Sequence, residues 1–129
     1  MKKILVVEDN EINMYLCSRI LKSSGYEVIE ARSGEEGVEL TIKGKPDLII
    51  MDIQLPGIDG LEATRRIRES EADGEIPIIA LTSYAMAGDR KKALKAGCTG
   101  YIEKPINPET FISEIKKFLE VKNEKSNSS

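Results

Sequence analysis

Leu48-Ile49-Ile50-Met51-Asp52-Ile53-Gln54-Leu55-Pro56-Gly57-Ile58-Asp59-Gly60 is an apolar run that stops on a single carboxylate and passes into a Pro/Gly turn. A short unbroken apolar run bounded by turn residues reads as a strand covered on both faces. Such strands belong mostly to parallel sheets, because crossover helices shield both faces. Asp52 then stands at the carboxyl end of its strand. In open α/β sheets ligands bind at that edge, where the connections rise around a crevice.

Outward from this stretch, four further apolar runs, Ile4 to Val7, Glu27 to Ala31, Ile78 to Leu81 and Gly100 to Glu103, alternate with amphipathic segments. This alternation predicts an α/β fold, a doubly wound parallel sheet of five strands with a helix after each. The helices carry their own punctuation. Asn10 can cap the first, whose Leu16, Cys17, Ile20 and Leu21 form an apolar stripe that Gly25 ends. Ser33 with Glu36, and Asp59 with Glu62, have capping-box spacing for the second and third. The third turns Leu61, Thr64 and Ile67 inward and leaves Arg65, Arg66 and Arg68 to solvent, before a polar connection from Glu69 to Glu75. The fourth, around Gly88 to Ala96, is rich in Ala and Lys and poor in large apolar residues, which makes it a candidate for movement. Asn107 and Pro108 open the fifth, where Phe111, Ile115, Phe118 and Leu119 repeat on one face. One domain is expected over residues 1–121, followed by a disordered polar tail at 122–129.

The totals exclude several classes of function. A chain of 129 residues suits one core, and a formal net charge of -3 gives no electrostatic reason to expect nucleic acid or anionic membrane as a partner. Cys17 and Cys98 lack the paired spacing of zinc or redox motifs and read as reduced core residues. The apolar run after Met1-Lys2-Lys3 stops at Glu8-Asp9, too short for a signal-peptide core, and no segment is long enough to span a bilayer, so a cytoplasmic location is expected. With no histidine, the chain cannot be a phosphohistidine donor, a His-dependent hydrolase or a His-ligated zinc enzyme.

Carboxylate chemistry remains, and it gathers at the strand ends. Glu8-Asp9 follows the first strand, Asp52 ends the third, Thr82-Ser83 ends the fourth, and Lys104-Pro105 follows the fifth. In a parallel sheet these tips share one edge. Glu8, Asp9 and Asp52 would repel one another if ionised together, and a hard cation with oxygen ligands, Mg²⁺, resolves the conflict. A shielded Asp52 can attack phosphorus to give an acyl phosphate, with Lys104 supplying an ammonium and Thr82 a hydroxyl to the phosphoryl oxygens. Taken singly, each residue has a plainer reading: an acidic pair after a strand as a solvated turn, Asp52 as a cap, Thr82 as a β-branched strand residue, Lys104 as a surface lysine. Their combination favours the site. Asp47 and Asp59 read as loop or capping residues, and Lys91, Lys92 and Lys95 as a solvated helix face. Tyr101 is a partly buried strand aromatic whose hydroxyl suits a position alternating between solvent and a pocket.

Val7-Glu8-Asp9-Asn10, Met51 to Gly60, Leu81-Thr82-Ser83-Tyr84-Ala85 and Tyr101-Ile102-Glu103-Lys104-Pro105, in this order and spacing, resemble the receiver domains of bacterial two-component response regulators. The resemblance runs from Lys3 to about Leu119, and the wording around Glu8 to Met14 and Ala80 to Ile106 is similar to stand-alone DivK-type regulators and receivers of hybrid kinases. It implies a flavodoxin-like sheet in the order 2-1-3-4-5. It implies a single-domain, monomeric regulator in which Asp52 takes a phosphoryl group from a histidine kinase or histidine phosphotransfer protein. Asp9 and Asp52 would hold Mg²⁺ through their side chains, Gln54 through its backbone carbonyl and Glu8 through water. Thr82 and Lys104 would contact the phosphoryl oxygens, and the Lys104-Pro105 bond would be cis. Phosphorylation would draw Thr82 inward, turn Tyr101 and change the partner preference of the surface made by the fourth helix, fifth strand and fifth helix, signalling to a downstream protein. Ser83 stands where alanine is common, and Gln54 and Tyr84 flank the phosphoryl group where they influence its lifetime. Such a protein catalyses its own phosphorylation and dephosphorylation without being a conventional enzyme. Two alternatives stay open: a Mg²⁺-dependent aspartyl-phosphate phosphohydrolase, whose usual second carboxylate two residues past the nucleophile is here Gln54, and a phosphorylation-independent interaction module. A flavodoxin-like module binding FMN is disfavoured, since Glu8-Asp9 would repel its phosphate.

Overall fold

The computed structural model describes residues 1–70, 76–83 and 87–128. Among them the chain alternates β1 (Lys3–Val7), α1 (Glu11–Ser23), β2 (Glu27–Ala31), α2 (Gly34–Gly44), β3 (Leu48–Asp52), α3 (Gly60–Ser70), β4 (Ile78–Thr82), α4 (Ala87–Ala96), β5 (Gly100–Glu103) and α5 (Pro108–Ser128). The strands form one parallel sheet in the order β2-β1-β3-β4-β5. This is the flavodoxin-like order that the resemblance implies. All five residues of β3 and of β4 are buried, as their unbroken apolar sequences require in strands covered on both faces.

Alternation along the strands divides the core into two layers. Ile4, Val6, Leu48, Ile50, Ile79, Leu81 and Ile102 point to one face, where Met14, Cys17 and Leu21 of α1 and Phe111, Ile115 and Leu119 of α5 cover them. Leu5, Val7, Ile49, Met51, Ile78 and Ala80 point to the other, against Ala63 and Ile67 of α3 and Ala93 of α4, with Val38 and Leu40 of α2 packed alongside. The strand period of two thus places α1 and α5 on one face and α2, α3 and α4 on the other.

The expected caps form. Asn10 accepts from Asn13 N (3.0 Å), Ser33 from Glu36 N (3.1 Å), Asp59 from Glu62 N (2.8 Å) and Asn107 from Glu109 N (2.9 Å). Asp47 accepts from Lys3 N at 2.8 Å, a loop role as anticipated.

Two local expectations are corrected. Leu16 is 45% exposed and lies outside the α1 stripe. Met14, Cys17 and Leu21 hold the inner face at i, i+3 and i+7, and Leu16 falls about 100° from Cys17 around the helix. Arg68 is no solvated side chain: it donates to Gly97 O (2.9 Å) and Thr99 Oγ1 (3.2 Å), clamping the α4–β5 turn to the end of α3. Gly97 has φ +115° and a Cβ there would lie 2.8 Å from Arg68 Cγ, so the turn admits the clamp only because it is glycine. Arg68→Ala is expected to cost about 1 kcal/mol in urea unfolding and to raise amide exchange around Gly97. Helix α5 is drawn to Ser128. Lys122, Glu124 and Lys125 are good helix formers, and no Gly or Pro follows Pro108 to stop the helix. The polar connection is described only as far as Ser70, and residues 71–75 lie outside the described residues.

Candidate functional site at the carboxyl edge of the sheet

Glu8, Asp52 and Lys104 share the strand parity of Val6, Ile50 and Ile102, so the alternation that fills the α1/α5 layer brings all three to one side of the sheet edge. Lys104 Nζ lies 3.0 Å from Glu8 Oε1 and 3.2 Å from Asp52 Oδ2. The two carboxylate side chains are 0% and 2% exposed and the lysine side chain 15%. Backbone amides hold the outer oxygens: Asn10 N donates to Glu8 Oε2 (3.3 Å) and Gln54 N to Asp52 Oδ1 (3.0 Å). Lys104 N donates to Thr82 O at 2.7 Å, tying the loop after β5 to the end of β4, and the Lys104–Pro105 bond is cis.

Gly60 sets the floor of the crevice. A Cβ at this position would lie 2.2 Å from the Asp52 carbonyl oxygen, and Gly60 N donates to Ile53 O at 3.0 Å. Only glycine lets the first turn of α3 pack directly on the backbone of the nucleophile candidate. A helix beginning on glycine, eight residues after a conspicuous strand-end carboxylate and one after a capping Asp, was the available sequence signal.

Two buried carboxylates facing one ammonium leave one negative charge in excess. Asp52 is pushed up from 3.8 to about 7, first by burial and then by the adjacent Glu8, against the opposing Gln54 amide and Lys104. Burial also acts on Glu8, but the hydrogen bond with Asp52, the Lys104 ammonium and the Asn10 amide hold its carboxyl below the usual range. Burial opposes the charge on Lys104, yet the two carboxylates raise its pKa. The pair therefore retains a proton near neutrality unless a further cation arrives.

Glu8, Asp9 and Asp52 each offer a carboxylate oxygen, all within 4.8 Å of one another. Mg²⁺ holds oxygens at about 2.0–2.1 Å, so opposed ligands stand about 4.2 Å apart, and the three need little adjustment or one bridging water to fit. The donor set is hard oxygen throughout. Buried Glu8 Oε1 has the Lys104 ammonium at 3.0 Å and keeps a second lone pair to offer a cation. These residues fit a magnesium ion, with exposed Asp9 on the solvent side.

Thr82 is 2% exposed and lines a cleft of about 80 Å³ with Ile53, Gln54, Leu61, Asp89 and Lys92. Tyr101 pairs in register with Ala80 and so shares Thr82's face of the sheet. It is half-buried, and burial, then Glu103 and Asp89, raise its phenol above the ordinary range, with Arg90 opposing. Asp89 and Lys92 were not singled out as site-lining residues in the sequence, since α4 reads there as a solvated helix. Ser83 is exposed and leaves an approach open, and Tyr84 lies outside the described residues. Both cysteines are free and buried, as expected, and burial pushes the Cys17 thiol up to about 12.

Residues 4–116 match the family model of the response regulator receiver domain. The chain belongs to that family. This receiver is 47% identical to the polar-differentiation response regulator DivK of Brucella ovis over 118 residues, covering 92% of this chain and 96% of that protein. The receiver domain of the sensor histidine kinase PA1611 of Pseudomonas aeruginosa, solved with a magnesium ion coordinated in its active-site cleft, superposes with a TM-score of 0.85 at 37% identity over 92% of this chain and 97% of that one. The receiver domain of Saccharomyces cerevisiae Ssk1, solved with the histidine phosphotransfer protein Ypd1, gives 0.85 at 32% identity over 91% and 88% of the two chains. No helix among the described residues of this receiver is long and apolar enough to cross a membrane.

Proposed function

We propose that this receiver accepts a phosphoryl group on Asp52 from a phosphohistidine on a kinase or phosphotransfer protein, and that it acts as a monomer in the cytoplasm through residues 1–121. The observation that carries this reading is the single Lys104 ammonium shared at 3.0 and 3.2 Å by two buried carboxylates, with Asp9 beside them. Asp9 and Asp52 would hold Mg²⁺ through their side chains, Gln54 through its backbone carbonyl and Glu8 through water. The ion supplies positive charge against the carboxylates and the incoming phosphoryl oxygens.

An Asp52 oxygen attacks phosphorus as the bond from phosphorus to the donor imidazole nitrogen breaks, and the nitrogen keeps the electron pair. Gln54 N orients the other Asp52 oxygen, and Lys104 stays in place to balance charge on the transferred group. Thr82, at the mouth of the adjacent cleft, donates its hydroxyl to a phosphoryl oxygen. Its inward shift frees space on the face it shares with Tyr101, and the surface of α4, β5 and α5 changes its preference for a downstream protein. Water attack on the acyl phosphate resets the protein without a conventional turnover chemistry.

The donor must also be held. Ile12, Tyr15 and Leu16 on α1 are 72%, 59% and 45% exposed and follow directly on the Asp9–Asn10 loop, an apolar surface beside the acceptor carboxylate. Ile12→Glu is expected to slow transfer from a phosphorylated histidine phosphotransfer protein about tenfold and to leave labelling by acetyl phosphate unchanged. The function itself is tested by mixing the receiver with such a phosphorylated donor, with Mg²⁺ or with EDTA. Metal-dependent movement of label from donor to receiver is expected. Retention of label on the donor, or steady phosphate release from simple monoesters as a hydrolase would give, would refute the proposal.

A further inference from the structure

Of the clustered carboxylates Glu8, Asp9 and Asp52, only Asp9 lacks a hydrogen bond or ion pair of its own side chain among the described residues. Glu8 and Asp52 share Lys104 and each accept a backbone amide, whereas Asp9 is exposed. The place of its carboxylate is therefore set by the backbone on either side. Upstream, Glu8 N donates to Ala31 O at 3.0 Å and fixes the end of β1. Downstream, α1 opens with Glu11, Ile12 and Asn13, none of them buried, and Met14 is the first residue seated in the core. A first turn without buried side chains frays readily.

Arg32 holds that end. Ala31 pairs with Val7, so Arg32 follows beside Glu8 at the edge of the sheet, on the face that α1 covers. Its guanidinium reaches α1 and β2 together: Nε and Nη2 both donate to Glu11, the latter at 3.3 Å, and Nη2 also donates to Glu30 at 3.1 Å. Glu30 is itself fixed, accepting the hydroxyl of buried Ser18 at 2.6 Å. The Arg32 amide donates to Glu36 at 3.3 Å, beside the Ser33 cap of α2. One residue thus ties the first turn of α1 to β2 and to the start of α2. An isolated exposed ion pair contributes little, but here Glu30 is already immobilised, which lowers the entropy lost in ordering the rest. We infer that Arg32 is a positioning residue for the magnesium site, holding Asp9 in place to ligate through its grip on Glu11. This rests on the proposed reading of Asp9 and Asp52 as Mg²⁺ ligands, and adds to it a residue that touches neither the ion nor the phosphoryl group.

Position and charge make opposite predictions for Arg32→Gln. Removing a nearby cation strengthens Mg²⁺ binding by charge alone, whereas loosening Asp9 weakens it. The test follows the backbone amide NMR shifts of Asp9, Asn10 and Gln54 as the intact, unphosphorylated chain is titrated with MgCl₂ at constant ionic strength, so the outcome does not depend on phosphoryl uptake. Arg32→Gln is expected to weaken Mg²⁺ binding about fivefold. Glu11→Gln should weaken it to a similar degree and the double variant no further, because both break one tether. Arg32→Lys keeps the charge but loses the forked contact, and should fall between Arg32→Gln and the native chain. Lys43→Gln, which removes the cation of the exposed Lys43–Glu39 pair on α2, should leave the affinity unchanged. In EDTA, the Asn13 amide that Asn10 caps should exchange faster in Arg32→Gln than in the native chain. Equal or tighter Mg²⁺ binding by Arg32→Gln, additive losses in the double variant, or unaltered Asn13 exchange would overturn the inference alone. A native chain that binds no Mg²⁺ would overturn the metal-site reading along with it.

Discussion

Asp52→Asn is expected to abolish phosphoryl uptake while making the metal-free protein more stable. The nucleophilic oxygen is lost, and a neutral amide takes up no phosphoryl group under conditions in which a carboxylate does. The stability gain follows from charge. Asp52 is pushed from 3.8 to about 7 in the folded state, first by burial and then by Glu8. Between those values the folded protein holds the proton more tightly than the unfolded chain. Stability from this group is therefore fully present below pH 3.8 and is lost as the pH rises through about 7. Asn removes that penalty. The substitution should raise stability by about 1–3 kcal/mol at pH 8, several degrees in melting temperature, and by much less at pH 5. Saturating Mg²⁺ should reverse the order, because the ion relieves the native carboxylates and has one fewer to bind in the variant. Thermal melts at pH 5 and 8, with EDTA and with Mg²⁺, check all four conditions.

Lys104→Met acts in the opposite direction. It leaves Glu8 and Asp52, 0% and 2% exposed, with no cation among the described residues within ion-pair distance. Removing one partner of a buried ion pair costs about 3–5 kcal/mol, because the remaining charge is stranded. The sign with pH follows from the partners. Near pH 5 the carboxylates can neutralise themselves by taking up protons, so the loss should be smallest there and largest at pH 8. Mg²⁺ should restore part of it. A double-mutant cycle between Lys104→Met and Glu8→Gln, read by urea unfolding in EDTA, should give a coupling of about 1–3 kcal/mol. Additive losses would mean that the shared ammonium contributes nothing beyond its separate contacts. Phosphoryl uptake by Lys104→Met should also fall, and a loss of uptake with stability restored by Mg²⁺ separates the chemical role from the structural one.

The parallel sheet was legible because its central strands are buried on both faces and so carry unbroken apolar runs, and the helix starts because Asn10, Ser33, Asp59 and Asn107 do what capping residues do. The meeting of Glu8, Asp9, Asp52 and Lys104 could be anticipated because parallel strands put their carboxyl ends on one edge. Other features depend on what a helix meets in space. Leu16 has an apolar side chain on the outer side of α1, and only the angle at which α1 crosses the sheet decides between it and Met14. Arg68 follows Arg65 and Arg66 in sequence, yet it alone reaches the Gly97 turn. Asp89 and Lys92 approach Thr82 because the buried face of α4 is only alanine-sized, which lets the helix lie close to the end of β4.

Peptide mapping of the protein after incubation with acetyl phosphate tests the central claim most directly. With Mg²⁺ present, one alkali-labile phosphoryl group is expected, on the peptide that contains Asp52 and on no other, and it should be absent when EDTA replaces the ion. Label of equal yield in EDTA, or label residing on a serine, a threonine or Asp9, would contradict the account.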